Sequence, residues 1–234
     1  MKKTLFLLLC FSVLKINCQK IEGRITYIAS SKKAVAFIKN KNRKTKVSDI
    51  YKNAKDIKIK LEFNENTSIY KPIGKMSTAN VKSINLTQIM AGGESEYYTS
   101  NSFNGYVNKK LDCYLLGECF LIENEQPKWE LKQETKKIQG FLCYKAILRN
   151  LKTNKVNLEV WYAPKIPYQY GIMHYYGLPG IILELNKNTF SITATKIELN
   201  PLKKIIIKEP FKKIKTLSSE EFKRLLRKNS PFKN

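Results

Sequence analysis

The chain has 234 residues, 43 Lys and Arg against 19 Asp and Glu, a formal net charge of +24, and one histidine. That length fits one large domain or a domain with a small appendage, and 13 Tyr and 11 Phe supply a sizeable core. Such a basic balance raises nucleic acid or an anionic surface as a partner, but the cations are mostly Lys in a Lys-, Asn- and Ile-rich chain. Base reading draws on the Arg fork, so nucleic-acid binding is not expected.

The chain opens with a basic Met1-Lys2-Lys3, an apolar run over 4–14 and a polar stretch over 15–19. This is the pattern of a secretory signal peptide, too short to span a bilayer. Cleavage is expected between Cys18 and Gln19. Lipidation of Cys18 is the rival reading, but Lys15 and Asn17 stand where a lipobox has an aliphatic and a small residue. No later segment is long and apolar enough to be a transmembrane span. The expected organisation is a signal peptide at 1–18, a β domain at 19–210 and a basic helical tail at 211–234. The expected location is periplasmic or envelope-associated.

Residues 23–29 read as a first strand, and 34–46 are basic and irregular. Over 56–63, Ile57, Ile59, Leu61 and Phe63 alternate with Lys58, Lys60 and Glu62, a half-buried strand. Asn64-Glu65-Asn66 is a turn, and 67–73 returns as its hairpin partner. A helical turn or a loop fits 74–91, and Gly92-Gly93 marks a joint. Further strands are expected at 96–106, at 111–123 as a pair or a bulged strand, at 128–133, and at 140–150 and 156–162. A hairpin at 180–185 and 189–199 follows, then a last strand at 203–208. Ser218 with Glu221 three residues on is a capping box, and Phe222, Leu225 and Leu226 fall on one face of a terminal helix. Strands at short intervals with Asn- and Lys-rich turns define a mainly β fold, an antiparallel sheet with a C-terminal helix.

Cys113, Cys119 and Cys143 follow the leader. One disulfide and one free thiol is the simplest arithmetic in an oxidising compartment. A local 113–119 bridge and a 119–143 bridge between neighbouring strands both remain open. Without a CxxC, and with His174 alone, no metal site is expected. No phosphate loop or dinucleotide fingerprint occurs, so no cofactor is expected.

Four blocks follow one another in order: Trp129-Glu130-Leu131; residues 136–146 with Gly140 and Cys143; Val160-Trp161-Tyr162-Ala163-Pro164; and Tyr176-Gly177-Leu178-Pro179-Gly180-Ile181-Ile182. Over residues 129–198 the chain resembles the GLPGLI family, exported proteins of Bacteroidetes-type bacteria without an established function. Ile181 replaces the Leu of the family's name, and the basic C-terminus lies outside the shared pattern. At the level of strand order the resemblance implies the curved half-barrel of envelope lipoprotein carriers. It makes Trp129, Gly140, Cys143, Trp161 and Gly177 to Gly180 structural family positions.

The Gly-Leu-Pro-Gly corner is expected to organise the sheet, so that Pro179→Ala and Gly180→Val each lower the melting temperature. Trp129, Trp161, Tyr162 and His174 are the candidate ligand or partner face; the plainer reading makes the aromatic residues sheet packing. No residue carries a catalytic signature. His174 lacks a recognisable nucleophile and orienter, although Asp112 or Glu184 beside it in a cleft would favour an enzyme. The expected function is a non-enzymatic envelope protein that binds an apolar ligand, a peptide or an outer-membrane partner. The alternatives are an unrecognised envelope enzyme and a structural accessory of an outer-membrane transporter.

Overall fold

A computed structural model of the chain describes residues 20–32, 54–74, 85–208 and 213–229. The segment expected to be a signal peptide, at 1–18, and the basic stretch at 34–46 lie outside these residues.

Strand β1 (Gly23–Ser30) alternates buried and half-exposed residues along its whole length, which seats Ile25, Tyr27 and Ala29 in the core. β2 (Ile57–Phe63) does the same with Ile59, Leu61 and Phe63. These are the period-two faces of half-buried strands. β3 (Thr67–Pro72), β4 (Glu96–Ser102), β5 (Gly105–Asp112) and β6 (Phe120–Asn124) continue outward from β2 as a meander. On the other side of β1 lie β11 (Phe190–Leu199), β10 (Ile181–Lys187), β9 (Val156–Ala163), β8 (Phe141–Arg149) and β7 (Glu130–Ile138). β12 (Lys215–Ser218) adds beyond β6, giving one sheet of twelve strands among the described residues, in the order β12-β6-β5-β4-β3-β2-β1-β11-β10-β9-β8-β7.

This order requires curvature. Ten ladder steps separate β6 from β7, about 48 Å in a flat sheet. Only residues 125–129 join them, and that connection reaches about 20 Å when fully extended. The sheet must therefore curl until its two flanks approach. Register shifts at Thr26/Tyr27, Ile182/Glu184, Leu131/Thr135 and Leu148/Arg149 add the local bending that bulges bring.

The mainly β, curved architecture with a C-terminal helix is as expected, with four corrections. The stretch expected as one strand at 96–106 is the β4–β5 hairpin, turning at Phe103-Asn104 with Ser102 paired to Gly105. Residues 203–208 form no strand; Ile206 is exposed there, as is Leu202 just before it. The last strand is instead β12, which runs parallel to β6, so the sheet is not wholly antiparallel. The strand expected at 128–133 runs further, to Ile138, and meets β8 through Gln139 and Gly140. Both have positive φ, at 49° and 82°, as a primed two-residue turn requires.

Of the open disulfide pairings, Cys113 is joined to Cys119 across the β5–β6 loop, with an S–S distance of 2.05 Å, and Cys143 is a buried free thiol. The short helix α1 (Leu86–Met90) is capped by Asn85, whose side chain accepts from Thr87 N. The terminal helix α2 (Ser219–Lys228) begins with the expected capping box. Its Phe222 packs with Phe120, Ile122 and Leu217 in a small cluster separate from the main core.

Candidate functional site

The connection from β9 to β10, residues 164–180, fills the interior of the curl. Ile166, Tyr170, Ile172, Tyr175, Tyr176 and Leu178 are all buried. A long loop can be buried only if its backbone groups find partners, and here they do. Ile172 and Tyr175 exchange two backbone hydrogen bonds of 3.1 and 3.0 Å, and Gly177 N donates to Gln169 O at 3.0 Å. The surrounding strands hold the loop through side chains. Tyr27 Oη of β1 donates to Ile182 O at 2.8 Å, in β10 just beyond the loop. Tyr170 Oη donates to Asn64 O at 3.0 Å, Tyr176 Oη to Asn124 O at 3.1 Å, and Trp129 Nε1 to Tyr176 O at 2.8 Å. Asn108 of β5 is buried; its Nδ2 donates to Met173 O and Thr99 Oγ1, and its Oδ1 accepts from Asn124 Nδ2.

The Gly-Leu-Pro-Gly segment ends this loop. Leu178 is buried and Pro179 exposed. Gly177 lies against Gln126, where a Cβ would come within 2.5 Å of Nε2. Gly180 has φ 151°, and a Cβ there would meet Ala163 O at 2.5 Å. The segment clamps the loop between the 125–129 connection and the end of β9.

The four candidate face residues do not form one surface. Trp129 and His174 both approach Tyr175, at 6.3 and 4.1 Å between ring centroids. Tyr162 lies beside Tyr144 at 6.2 Å. Trp161 is its neighbour in β9 and so points to the opposite side of the sheet. There Lys136 Nζ sits 4.4 Å from the Trp161 ring centroid and 2.7 Å from Glu184 Oε1. This face carries further cross-strand pairs: Lys145 bridges Glu134 and Glu159 at 2.8 and 2.9 Å, and Arg149 meets Glu130 at 2.8 Å. Arg149 and Lys132 hold the Glu130 carboxyl down at about 2. Burial pushes the Cys143 thiol up to about 11, so it is no nucleophile at neutral pH.

His174 sits at the turn of the loop, following Met173, which has φ 55°. Burial, with the charges of Lys187 and Lys110, lowers its pKa to about 4. Lys110 is also the partner of Asp112, at 2.7 Å. Asp112 further accepts from the backbone N–H groups of Tyr114 and Leu115, both at 3.1 Å. Burial raises its pKa, but Lys110 and these N–H groups outweigh that and leave it below the ordinary carboxylate range. Asp112 thus holds the disulfide loop rather than orienting the histidine, and Glu184 is committed to Lys136. A neutral imidazole between two ammonium groups cannot readily become the cation that a proton shuttle requires. Among the described residues no group of three or more His, Cys, Asp or Glu could hold a metal ion, and no helix is long and apolar enough to cross a membrane.

The geometry defines a class: a curled, open β-sheet module whose interior is filled by one of its own loops. Residues 120–221, β6 into α2, match the family model described as the N-terminal domain of N-glycanase peptide. The match covers less than half of the chain. Two solved structures of PNGF-II, in different crystal forms, are similar with TM-scores of 0.53 and 0.52, each at 15% identity over 89% of this chain and 33% of that chain. The likeness is one of fold, and this chain spans about a third of the PNGF-II length. No curated protein matches.

Proposed function

We propose that the chain is an exported, non-enzymatic binding module of a bacterial envelope, a GLPGLI-type protein that engages a macromolecular partner at its surface. The observation that carries this reading is the filled interior. Tyr170, Tyr175, Tyr176 and Leu178 are buried inside the curl, with Tyr175 and Tyr176 against Trp129, where an apolar ligand would be carried, which favours a surface partner over a carried lipid-like molecule. The likeness to a part of PNGF-II supports the same reading, since it is to a fold found within a longer protein. The polar groups nearest to a catalytic arrangement, His174 and Asp112, serve packing and loop geometry.

The test has two arms. The chain expressed with its leader should sediment with the envelope fraction, and the purified chain should release no glycan from an N-glycosylated glycoprotein. Glycan release, abolished by His174→Ala or Asp112→Asn, would overturn the proposal in favour of an enzyme.

A further inference from the structure

A groove of about 600 Å³ runs between the start of β1, the β2–β3 turn and the segment after β11. Its frame is rigid. Glu22 O accepts from Asn200 N at 2.7 Å, and Glu22 N donates to Asn200 Oδ1 at 3.1 Å. Asn66 O accepts from Asn101 N at 2.7 Å, which braces the turn against the β4–β5 hairpin. Asn64 Oδ1 accepts from the N–H groups of Asn66 and Thr67, each at 3.0 Å.

These bonds decide how the amides face. Because backbone N–H groups occupy the oxygens of Asn64 and Asn200, the opposite end of each side chain is the NH2 group. Neither NH2 group donates to another described residue. The groove therefore offers amide donors beside carboxylate acceptors on Glu22 and Glu65. Between them lies apolar surface from Pro201 and Leu202, the latter fully exposed. Its charges balance, Lys20 and Lys204 against Glu22 and Glu65, in a chain whose net charge is +24. Lys20 is already paired to Glu65 at 2.7 Å.

We infer that this groove binds a neutral carbohydrate. A sugar presents hydroxyls that donate and accept together and a C–H face that seeks apolar surface, which the amides, carboxylates and Leu202 match. An anionic ligand would meet two carboxylates for two ammonium groups and gain little. A peptide added as a strand needs a free main-chain ladder, whereas the backbone groups of Glu22 and Asn66 and the N–H of Asn200 already have partners.

The inference names a ligand class for the binding module proposed above and rests on that reading. The experiment is a titration of the 15N-labelled exported chain with a neutral high-mannose oligosaccharide, read at the side-chain NH2 resonances of Asn64, Asn66 and Asn200. A sulfated heparin fragment and a Gly/Ser peptide serve as controls. Shifts confined to the groove are expected with the neutral glycan alone. Leu202→Ser and Asn66→Ala, both at exposed sites, should weaken binding about tenfold without changing the melting temperature. No response at millimolar glycan, shifts elsewhere, an equal response to either control, or unchanged affinity in both variants would overturn it. Unchanged envelope sedimentation of the wild type in any of those cases would leave the binding-module reading standing, so the two failures are distinguishable.

Discussion

At the residue scale, the buried loop depends on close backbone approach more than on its proline. A Cβ on Gly171 would lie 1.9 Å from Tyr175 O, inside the two-bond bridge that folds the loop tip. Gly171→Ala must open that bridge and should cost about 3 kcal/mol, lowering Tm by about 10 °C for a domain of this size. Pro179, in contrast, is exposed. Its replacement by Ala acts mainly through the freedom of the unfolded chain and should cost under about 1 kcal/mol. Both Pro179→Ala and Gly180→Val are expected to lower Tm, but Gly180→Val by more, because its Cβ clashes with backbone at Ala163. Thermal melts of the three variants would check the ranking. His174 supplies a pH signature. Its folded pKa of about 4 is below the unfolded value of about 6.5, so the unfolded chain binds the proton more readily. The stability it contributes is complete above about pH 6.5 and is lost as pH falls toward 4, about 2 kcal/mol allowing for its partly exposed ring. Wild-type Tm should fall between pH 7 and pH 4.5, and His174→Phe, which keeps a ring against Tyr175, should flatten that fall.

At the element scale, α2 and β12 hold the sheet edge through a small cluster, so the cap of α2 matters. Ser218 Oγ accepts from Glu221 N at 3.2 Å, and Glu221 Oε2 accepts from Ser218 N at 2.8 Å. Ser218→Ala should remove about 1 kcal/mol, and hydrogen exchange should speed up in α2 and β12 while the amides of β1 and β2 stay protected. This helix was legible because a capping box and an i, i+3, i+4 stripe are local signals, as was the alternation of β2. The β4–β5 turn carried a local signal too, Asn104-Gly105, but the aromatic, polar run around it reads as one strand. The stretch at 203–208 shows the opposite failure. Its Ile residues look like a strand, yet only Ile205 is buried there, and its N–H donates to the Glu22 side chain at 3.4 Å. The candidate face was least legible: neither Tyr175 between Trp129 and His174, nor Lys136 beside Trp161 and Glu184, follows from spacing, because both sets are assembled by curling and cross-strand register.

At the scale of the whole molecule, the two flanks of the sheet share one core through the loop they enclose. Tyr170 is fully buried and lies 6.3 Å from the Phe63 ring of β2, 5.5 Å from Tyr106 of β5 and 5.4 Å from Tyr168 of its own loop. The loop itself belongs to the β7–β11 flank, and β1 pairs with both flanks from Gly23 to Ala29. Neither flank can then lose the loop without exposing the other's inner face. Unfolding should be a single transition, with far-UV circular dichroism coincident with the fluorescence of Trp129 and Trp161, both of which lie on the β7–β11 side. Tyr170→Ala removes a ring and its bond to Asn64 O, and should cost about 3–5 kcal/mol. Because the loss falls on shared packing, both probes should shift down together by about 10–15 °C. If the tryptophan signal kept its wild-type midpoint while the far-UV signal dropped, the flanks would be separate folding units and the loop merely an insertion in one of them.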